Sequence, residues 1–502
     1  MSRASGPAKP AGTFDRDAEW RALAAFAART APRAMLGVVS GRRRMGKTHL
    51  LRALANAASG FYFGATEATA AETLRQFGAA LAEHVASPVP FTFATWDDAI
   101  TYLFTLGTSG DQPVLAVIDE FPYLVRVVPE LPSLIQREID KYQSQANRLR
   151  LLLCGSAMAM MGGLLAGNAP LRGRAGLELV VRPFTYQDAA RFWAVDHDPR
   201  LAVRLHAVVG GTPAYRTQFL DDDTPADLDD FGPWVCRTVL SPLTPLFREA
   251  RYLLAEEAEI RDPALYHSVL AAVAEGNTTR GGIAGYIGRK SVDIAHPLTV
   301  LEDCHLLVRE DDVFRTGRTL YRIAEPLVTF YEAVARPAWA RLEAGEAEAV
   351  WQRSAERFAA QVVGPHFETI CREYLLRAGP EVFGDRPVGE VGVGVVTDPA
   401  RREQIQVDAV VLAPGSGGRR RRVVALGEVK WGTVIGARHI ERLARARDVL
   451  VGRGFDAEDC LLLGFSAAGF DPGLRDGTGG GSAVRLIGLG ELYGQRPTAA
   501  RS

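Results

Sequence analysis

The chain has 502 residues, 47% of them hydrophobic and 23% charged, and a formal net charge of −1. It is too long for one hydrophobic core, so roughly two to four domains are expected. It is also too evenly charged to be a polyelectrolyte that seeks nucleic acid as a whole, so any basic surface must be local.

Five scattered cysteines (Cys154, Cys236, Cys304, Cys371 and Cys460) form no CxxC or other metal-ligand spacing, which argues against a disulfide framework and a zinc site. No apolar run is long enough to cross a bilayer, and no apolar segment marks a secretory signal. A cytoplasmic protein without membrane contact is expected.

Residues 1–12, rich in Pro, Gly and Ala, read as a disordered tail. Apolar runs at 34–40, 60–64, 113–118, 150–154 and 177–182 then alternate with helical stretches, among them 47–58 and 70–86. Strands this apolar, separated by helices, predict a parallel sheet covered on both faces. Past Pro183 the pattern turns helical, and the acidic segment 221–233 marks a boundary. Over 261–325 the order is three helices followed by two strands, the order of a winged helix. A helical stretch at 350–377 leads to strands at 388–396, 404–412, 422–430 and 459–465, which read as a separate α/β domain.

Gly41-Arg42-Arg43-Arg44-Met45-Gly46-Lys47-Thr48 fits G-x-x-x-x-G-K-[ST] and stands between a predicted strand and helix, the context the motif requires. The two glycines let the backbone wrap a phosphate with its N–H groups inward, and the helix that follows adds its positive N-terminus. Lys47 would reach the β- and γ-phosphates of ATP, and Thr48 would set its hydroxyl on Mg²⁺. The strand 114–118 delivers Asp119 toward the same ion, and Glu120 is placed to polarise the attacking water. That pair is the arrangement of ATPases with a catalytic glutamate, and the chain has no NKxD-type guanine motif. Ser156, after RLLLCG, is a candidate γ-phosphate sensor. Arg174 is a candidate charge on the transferring phosphate, in cis or from a neighbouring copy.

A second constellation lies near the C-terminus. Asp408 sits in IQVDAVV, and Glu428 and Lys430 lie two apart on one face of VVALGEVKW. A hairpin would bring the three together as two carboxylates for Mg²⁺ and a lysine for water or phosphate, the needs of metal-assisted phosphodiester cleavage. Glu368, in HFETICREYL, is a possible fourth member. The loop between the two strands carries Arg419 to Arg422, a run suited to a nucleic-acid backbone. The alternative is a solvated sheet face with ordinary charge alternation.

Several segments resemble the archaeal-type P-loop ATPase family of the STAND/AAA-like branch. They are Phe14-Asp15-Arg16 with Glu19 and Leu23, the P-loop itself, VIDEFPYL, LLLCGSAMAMM, Gly173-Arg174 followed by Arg182-Pro183-Phe184, and Gly210-Gly211-Thr212-Pro213-Ala214-Tyr215. The pairing of VDAVV with LGEVKW resembles the core of PD-(D/E)xK nucleases. Pro213, the proline of a GxP motif, is placed by the resemblance against the adenine. One departure is Gln406, which stands where the family often carries a further acid.

The resemblance implies an α/β P-loop NTPase core (13–195), a helical lid (196–250), a winged helix (251–335) and an α/β restriction-endonuclease-like domain (345–495). The function expected is ATP binding and hydrolysis coupled to action on DNA, with ATP and Mg²⁺ as cofactors and self-association as a further possibility. The alternative is an ATP-dependent switch that binds DNA or protein without cleaving.

Overall fold

The computed structural model describes residues 6–255, 262–415, 421–476 and 483–495. The chain divides into two compact units, 1–183 and 184–502.

The first unit is built on five parallel strands: β1 (Met35–Ser40), β2 (Phe61–Gly64), β3 (Val114–Asp119), β4 (Leu149–Gly155) and β5 (Ala175–Val180), in the spatial order β2-β3-β4-β1-β5. The central strands are buried on both faces, which is why they read as unbroken apolar runs. Leu151, Leu152 and Leu153 are each at most 1% exposed, and burial of each contributes about 1.5–3 kcal/mol. β5, at an edge, instead alternates half-buried and exposed residues. Arg150 is fully buried within β4 and donates to the carbonyls of Arg29, Ala31 and Arg33, fixing the turn that feeds β1.

The order has a consequence for function. β4 lies between β1 and β3, so the end of β4 emerges between the loop after β1 and the acidic pair after β3. In open α/β sheets such strand ends are where ligands bind.

Residues 6–12 are not a free tail. Trp20 Nε1 donates to Pro7 O at 2.9 Å and Lys9 Nζ to Asp15 O at 2.7 Å, which lays this segment along the helix Asp17–Ala27. Residues 1–5 lie outside the described residues.

The second unit opens with helices, among them Pro199–Val209 and Pro245–Ala255. Three helices follow, Pro263–Ala274, Arg280–Ile287 and Ala295–Asp303, and then an antiparallel hairpin of β6 (Leu307–Asp311) and β7 (Thr319–Ile323). The hairpin tip is docked: Val313 N donates to Val393 O at 3.0 Å, and Asp312 Oδ1 accepts from Val395 N at 3.3 Å.

The helical stretch expected over 350–377 is present, with a π-helical turn inserted in it. The π-helical turn spans Phe358–Val363 and runs directly into Gly364–Arg377, with Pro365 just past the turn, the kind of local irregularity that accommodates a residue without an N–H in a helix.

The second sheet contains β8 (Glu390–Asp398), β9 (Glu403–Leu412), β10 (Val423–Lys430), β11 (Leu461–Ser466) and β12 (Val484–Gly488), ordered β12-β11-β10-β9-β8. β8, β9 and β10 are antiparallel neighbours, while β11 and β12 run parallel to β10. Ala409 and Val411 share a core with Phe367 and Ile370 of Gly364–Arg377, while Val410 and Leu412 share one with Leu443 and Leu450 of the helix Ala437–Gly452. The alternation places the two helices on opposite faces of the sheet.

Candidate functional site: the P-loop and a carboxylate–lysine cluster

The loop Gly41–Gly46 turns from β1 into the helix Lys47–Ala57. Gly46 has φ +87, which favours glycine. At Gly41 (φ +150) a Cβ would also lie 2.5 Å from Val181 O, so only a residue without a side chain fits. Lys47 is buried and donates to Gly41 O at 2.6 Å and Arg42 O at 2.9 Å, so its ammonium spans the loop. Burial holds its pKa below the usual lysine value, with Cys154, Glu120 and Asp119 opposing that shift.

Thr48 Oγ1 donates to Asp119 Oδ2 at 2.8 Å. A hydroxyl and a carboxylate in contact are a hard oxygen set that fits Mg²⁺, an ion that keeps several waters and takes few protein ligands. Asp119 Oδ1 accepts from Glu120 N at 3.0 Å. Glu120 stands in the left-handed region at φ 52, a strained conformation that clusters at functional sites. Its carboxylate is held by Ser156 Oγ, at 3.2 Å from Oε1 and 3.0 Å from Oε2. The structure thus brings Lys47, Thr48, Asp119, Glu120 and Ser156 together at the strand ends. Gly155 allows this closeness, since a Cβ there would meet Pro122 Cδ at 2.5 Å.

Three further side chains take part in this site; Arg43 lies within the P-loop motif and Arg16 within the Phe14-Asp15-Arg16 segment, while Tyr62 carries no local signal in the sequence. Tyr62, on β2, donates its hydroxyl to Asp119 Oδ2 at 2.8 Å. Burial and the neighbouring Asp119 push that phenol above its usual pKa. Arg43 bridges Ser156 Oγ (3.3 Å) and Tyr123 OH (2.8 Å). Arg16 donates to Met45 O at 3.2 Å and pairs with Glu19 at 3.0 Å, bracing the loop from outside. Arg174 is not gathered in with these residues. It pairs with Asp140 at 2.8 Å and donates to the carbonyls of Pro170 and Arg172. Pro213 lies in the second unit, and its carbonyl accepts from Thr217 Oγ1.

The second cluster assembles by register. Gly427 pairs with Ala409, and one step further Glu428 faces Asp408 across β10 and β9. Directly opposed residues share a face. Lys430 Nζ lies 2.8 Å from Glu428 Oε1 and 3.6 Å from Asp408 Oδ2. Asp408 Oδ2 also accepts from Val429 N at 3.0 Å, and Gln406 Nε2 lies 3.4 Å from Oδ1. Both carboxylates are buried.

Arg442, from the helix Ala437–Gly452, completes the cluster by donating to both oxygens of Glu428, at 2.6 Å to Oε1. Arg372 donates to Asp408 O at 3.0 Å and lies 3.6 Å from Glu368. Burial raises the Asp408 pKa against the pull of Lys430. Burial first, and Asp408 second, push Glu368 up to about 7. Burial also works against the Lys430 ammonium, but Asp408 and Glu428 outweigh it and hold its pKa above the usual value. Paired carboxylates on adjacent strands are a donor set Mg²⁺ accepts, although among the described residues no group of three or more His, Cys, Asp or Glu is arranged to hold a metal ion.

The described arginines of the basic loop expected to serve this cluster, Arg421 and Arg422, do not lie beside it. Residues 413–422 join β9 to β10 at the end remote from Lys430, and Glu428 is five residues from Val423 along β10, a distance of about 17 Å along an extended strand. Arg421 is engaged by Glu390 at 2.9 Å and Val313 O at 3.0 Å, and Arg422 lies 4.0 Å from Asp456. Arg419 and Arg420 lie outside the described residues.

A parallel sheet in the order β2-β3-β4-β1-β5, with a phosphate-binding loop after β1 and an acidic pair after the non-adjacent β3, defines a P-loop nucleotide-binding domain. Residues 13–197 match the family described as an ATPase domain predominantly from Archaea, in agreement with a P-loop nucleotide-binding fold in this part of the chain. The chain is 26% identical over 354 residues to an uncharacterized protein of Methanocaldococcus jannaschii, covering 68% of this chain and 72% of that one. Among solved structures it is similar to a Walker-type ATPase of Pyrococcus abyssi (TM-score 0.49, 21% identity, 64% of this chain and 96% of that one). It is also similar to the ORC2 protein of Aeropyrum pernix (TM-score 0.44, 15% identity, 70% of this chain and 96% of that one).

Proposed function

We propose that this protein is an ATP-hydrolysing, ATP-controlled enzyme that acts on DNA through a nuclease-like C-terminal domain. In the first unit, the backbone N–H groups of Gly41–Thr48 and the Lys47 ammonium bind the phosphates. Glu120, oriented by Ser156, takes the proton of the attacking water. Thr48 and Asp119 would hold Mg²⁺, which when bound neutralises phosphate charge. Arg174 is a candidate for a further phosphate contact, in cis or toward a neighbouring copy, and Pro213 for a contact with adenine.

The observation that carries the DNA-acting part is the register that sets Asp408 against Glu428 with Lys430 in reach of both. Two carboxylates buried beside a lysine on otherwise apolar central strands are costly to keep without a role. Asp408 and Glu428 would hold a divalent ion there, which when bound activates water and clamps a phosphodiester, as in PD-(D/E)xK nucleases. Lys430 positions the water or the phosphate. The three helices and hairpin over 263–323 have winged-helix order. The exposed residues of Ala295–Asp303 include His296, Thr299 and Asp303, a poor match to phosphates, and the hairpin tip is already docked. This supports a structural role for that segment.

A second reading, an ATP-dependent switch that binds DNA or protein without cutting, is favoured by the occupation of Glu428 by Lys430 and Arg442 together. Plasmid cleavage with Mg²⁺ or Mn²⁺, with and without ATP, separates the two. The nuclease reading expects cutting that is lost in Lys430→Ala and altered in Lys47→Ala. If the wild-type protein hydrolyses ATP but cuts no duplex, branched or single-stranded DNA, the switch reading stands instead.

A further inference from the structure

The helix Ala437–Gly452, continued to Arg453, carries five arginines against two acids, Glu441 and Asp448, in a chain whose net charge is −1. Arg438, Arg442 and Arg445 stand at i, i+4 and i+7 and therefore share one face. Arg447 lies on the other side, paired with Asp448 at 2.9 Å.

The three arginines of the row differ in how they are engaged. Arg442 is half-buried and donates to Glu428, so the row touches the carboxylate–lysine cluster at its middle member. Arg438 is exposed and makes no ion pair among the described residues. Arg445 lies 3.8 Å from Glu403, at the start of β9, beside the exposed Arg401 and Arg402 of the β8–β9 turn. Glu441 flanks the row and lowers its net charge by one.

We propose that Arg438, Arg442 and Arg445 form a track for the phosphate backbone of DNA that leads into the Asp408–Glu428–Lys430 cluster. The chemistry fits. Planar guanidinium groups bind phosphate bidentately and stay charged, and consecutive turns of one helix space them along a single strand of backbone. Arg442, at the middle of the row, is where the track meets the cluster, shared between Glu428 and a phosphate lying over it. The track takes the part that the sequence suggested for the loop 413–422, whose described arginines are occupied elsewhere. This inference names how the substrate of the proposed function is held and rests on that reading for the identity of the ligand.

The test is binding without cleavage. Fluorescence anisotropy of labelled duplex DNA, with full-length protein in EDTA over a range of salt concentrations, gives the affinity and its salt slope. The Arg438→Gln/Arg445→Gln double variant removes two charges outside the cluster. Its slope is expected to fall by about 0.9 for each phosphate that is no longer neutralised, with affinity down about tenfold or more. Lysine at both positions is expected to restore the slope, and Arg341→Gln, a surface change elsewhere, is expected to leave it as in wild type. A double variant with wild-type slope and affinity, or a wild-type protein that binds no DNA, overturns the track. If the slope changes while no variant or wild type cuts DNA, the track stands and the nuclease reading fails. If DNA is cut but the slope is unchanged, the track fails and the nuclease reading stands.

Discussion

Tyr62 and Thr48 donate to the same oxygen of Asp119, each at 2.8 Å. With the Glu120 N–H on the other oxygen, the carboxylate is fixed by three donors from three segments of the first unit. Its orientation is therefore set by β2 as well as by the P-loop.

Removing the phenol should loosen that carboxylate without disturbing the core. Tyr62→Phe keeps the ring and deletes one hydrogen bond to a charged group, worth about 1.5–3 kcal/mol. The half-saturating Mg²⁺ concentration for ATP hydrolysis should rise about tenfold, while nucleotide binding without metal is unchanged. A magnesium titration of ATPase activity reads this directly.

Ser156 acts on Glu120 rather than on the sheet. Its hydroxyl reaches both oxygens of that carboxylate, so Ser156→Ala frees the proposed base from its orientation. The kcat for ATP should fall by about ten- to a hundredfold, as for a mispositioned general base, with KM little changed. Steady-state kinetics separate this from a binding defect, which would raise KM instead.

The raised pKa of Glu368 predicts a pH signature. Burial beside Asp408 lifts it to about 7 in the folded protein, above the ordinary carboxylate value. Between the ordinary value and about 7 the native state holds a proton that the unfolded state has released. Stability therefore falls as pH rises through that window, and the loss is complete above it. Glu368→Gln removes the penalty. It should raise Tm relative to wild type at pH 8 and leave Tm nearly unchanged at pH 4. Thermal melts at the two pH values check the sign.

Much of the nucleotide site is legible in the sequence, because each part is local. A buried parallel strand is an apolar run, and the loop or acid that ends it follows directly, so GRRRMGKT after Met35–Ser40 and Asp119-Glu120 after Val114 announce themselves. What joins these parts is non-local. That β4 lies between β1 and β3, and so sets Ser156 against Glu120, is a matter of strand order. Tyr62 reads only as an aromatic in a short buried strand, since nothing nearby says that its hydroxyl meets Asp119.

The second cluster is legible in part. Two residues apart on a strand means one face, which identifies Glu428 and Lys430. Counting along β10 also puts the loop after Leu412 at the end away from Lys430, so Arg421 and Arg422 lie remote from the cluster. Arg442 reaches Glu428 from a helix fourteen residues on, a pairing that only the crossover between β10 and β11 creates.

In the proposed function the first unit hydrolyses ATP with Glu120 as base and Lys47 as phosphate ligand. The most direct test measures ATP binding and Mg²⁺-dependent hydrolysis side by side for wild type, Lys47→Ala and Glu120→Gln. The expected result is that Lys47→Ala loses binding, while Glu120→Gln binds ATP as wild type does and hydrolyses it about a hundredfold more slowly or worse. Hydrolysis by Glu120→Gln at the wild-type rate would rule out Glu120 as the base.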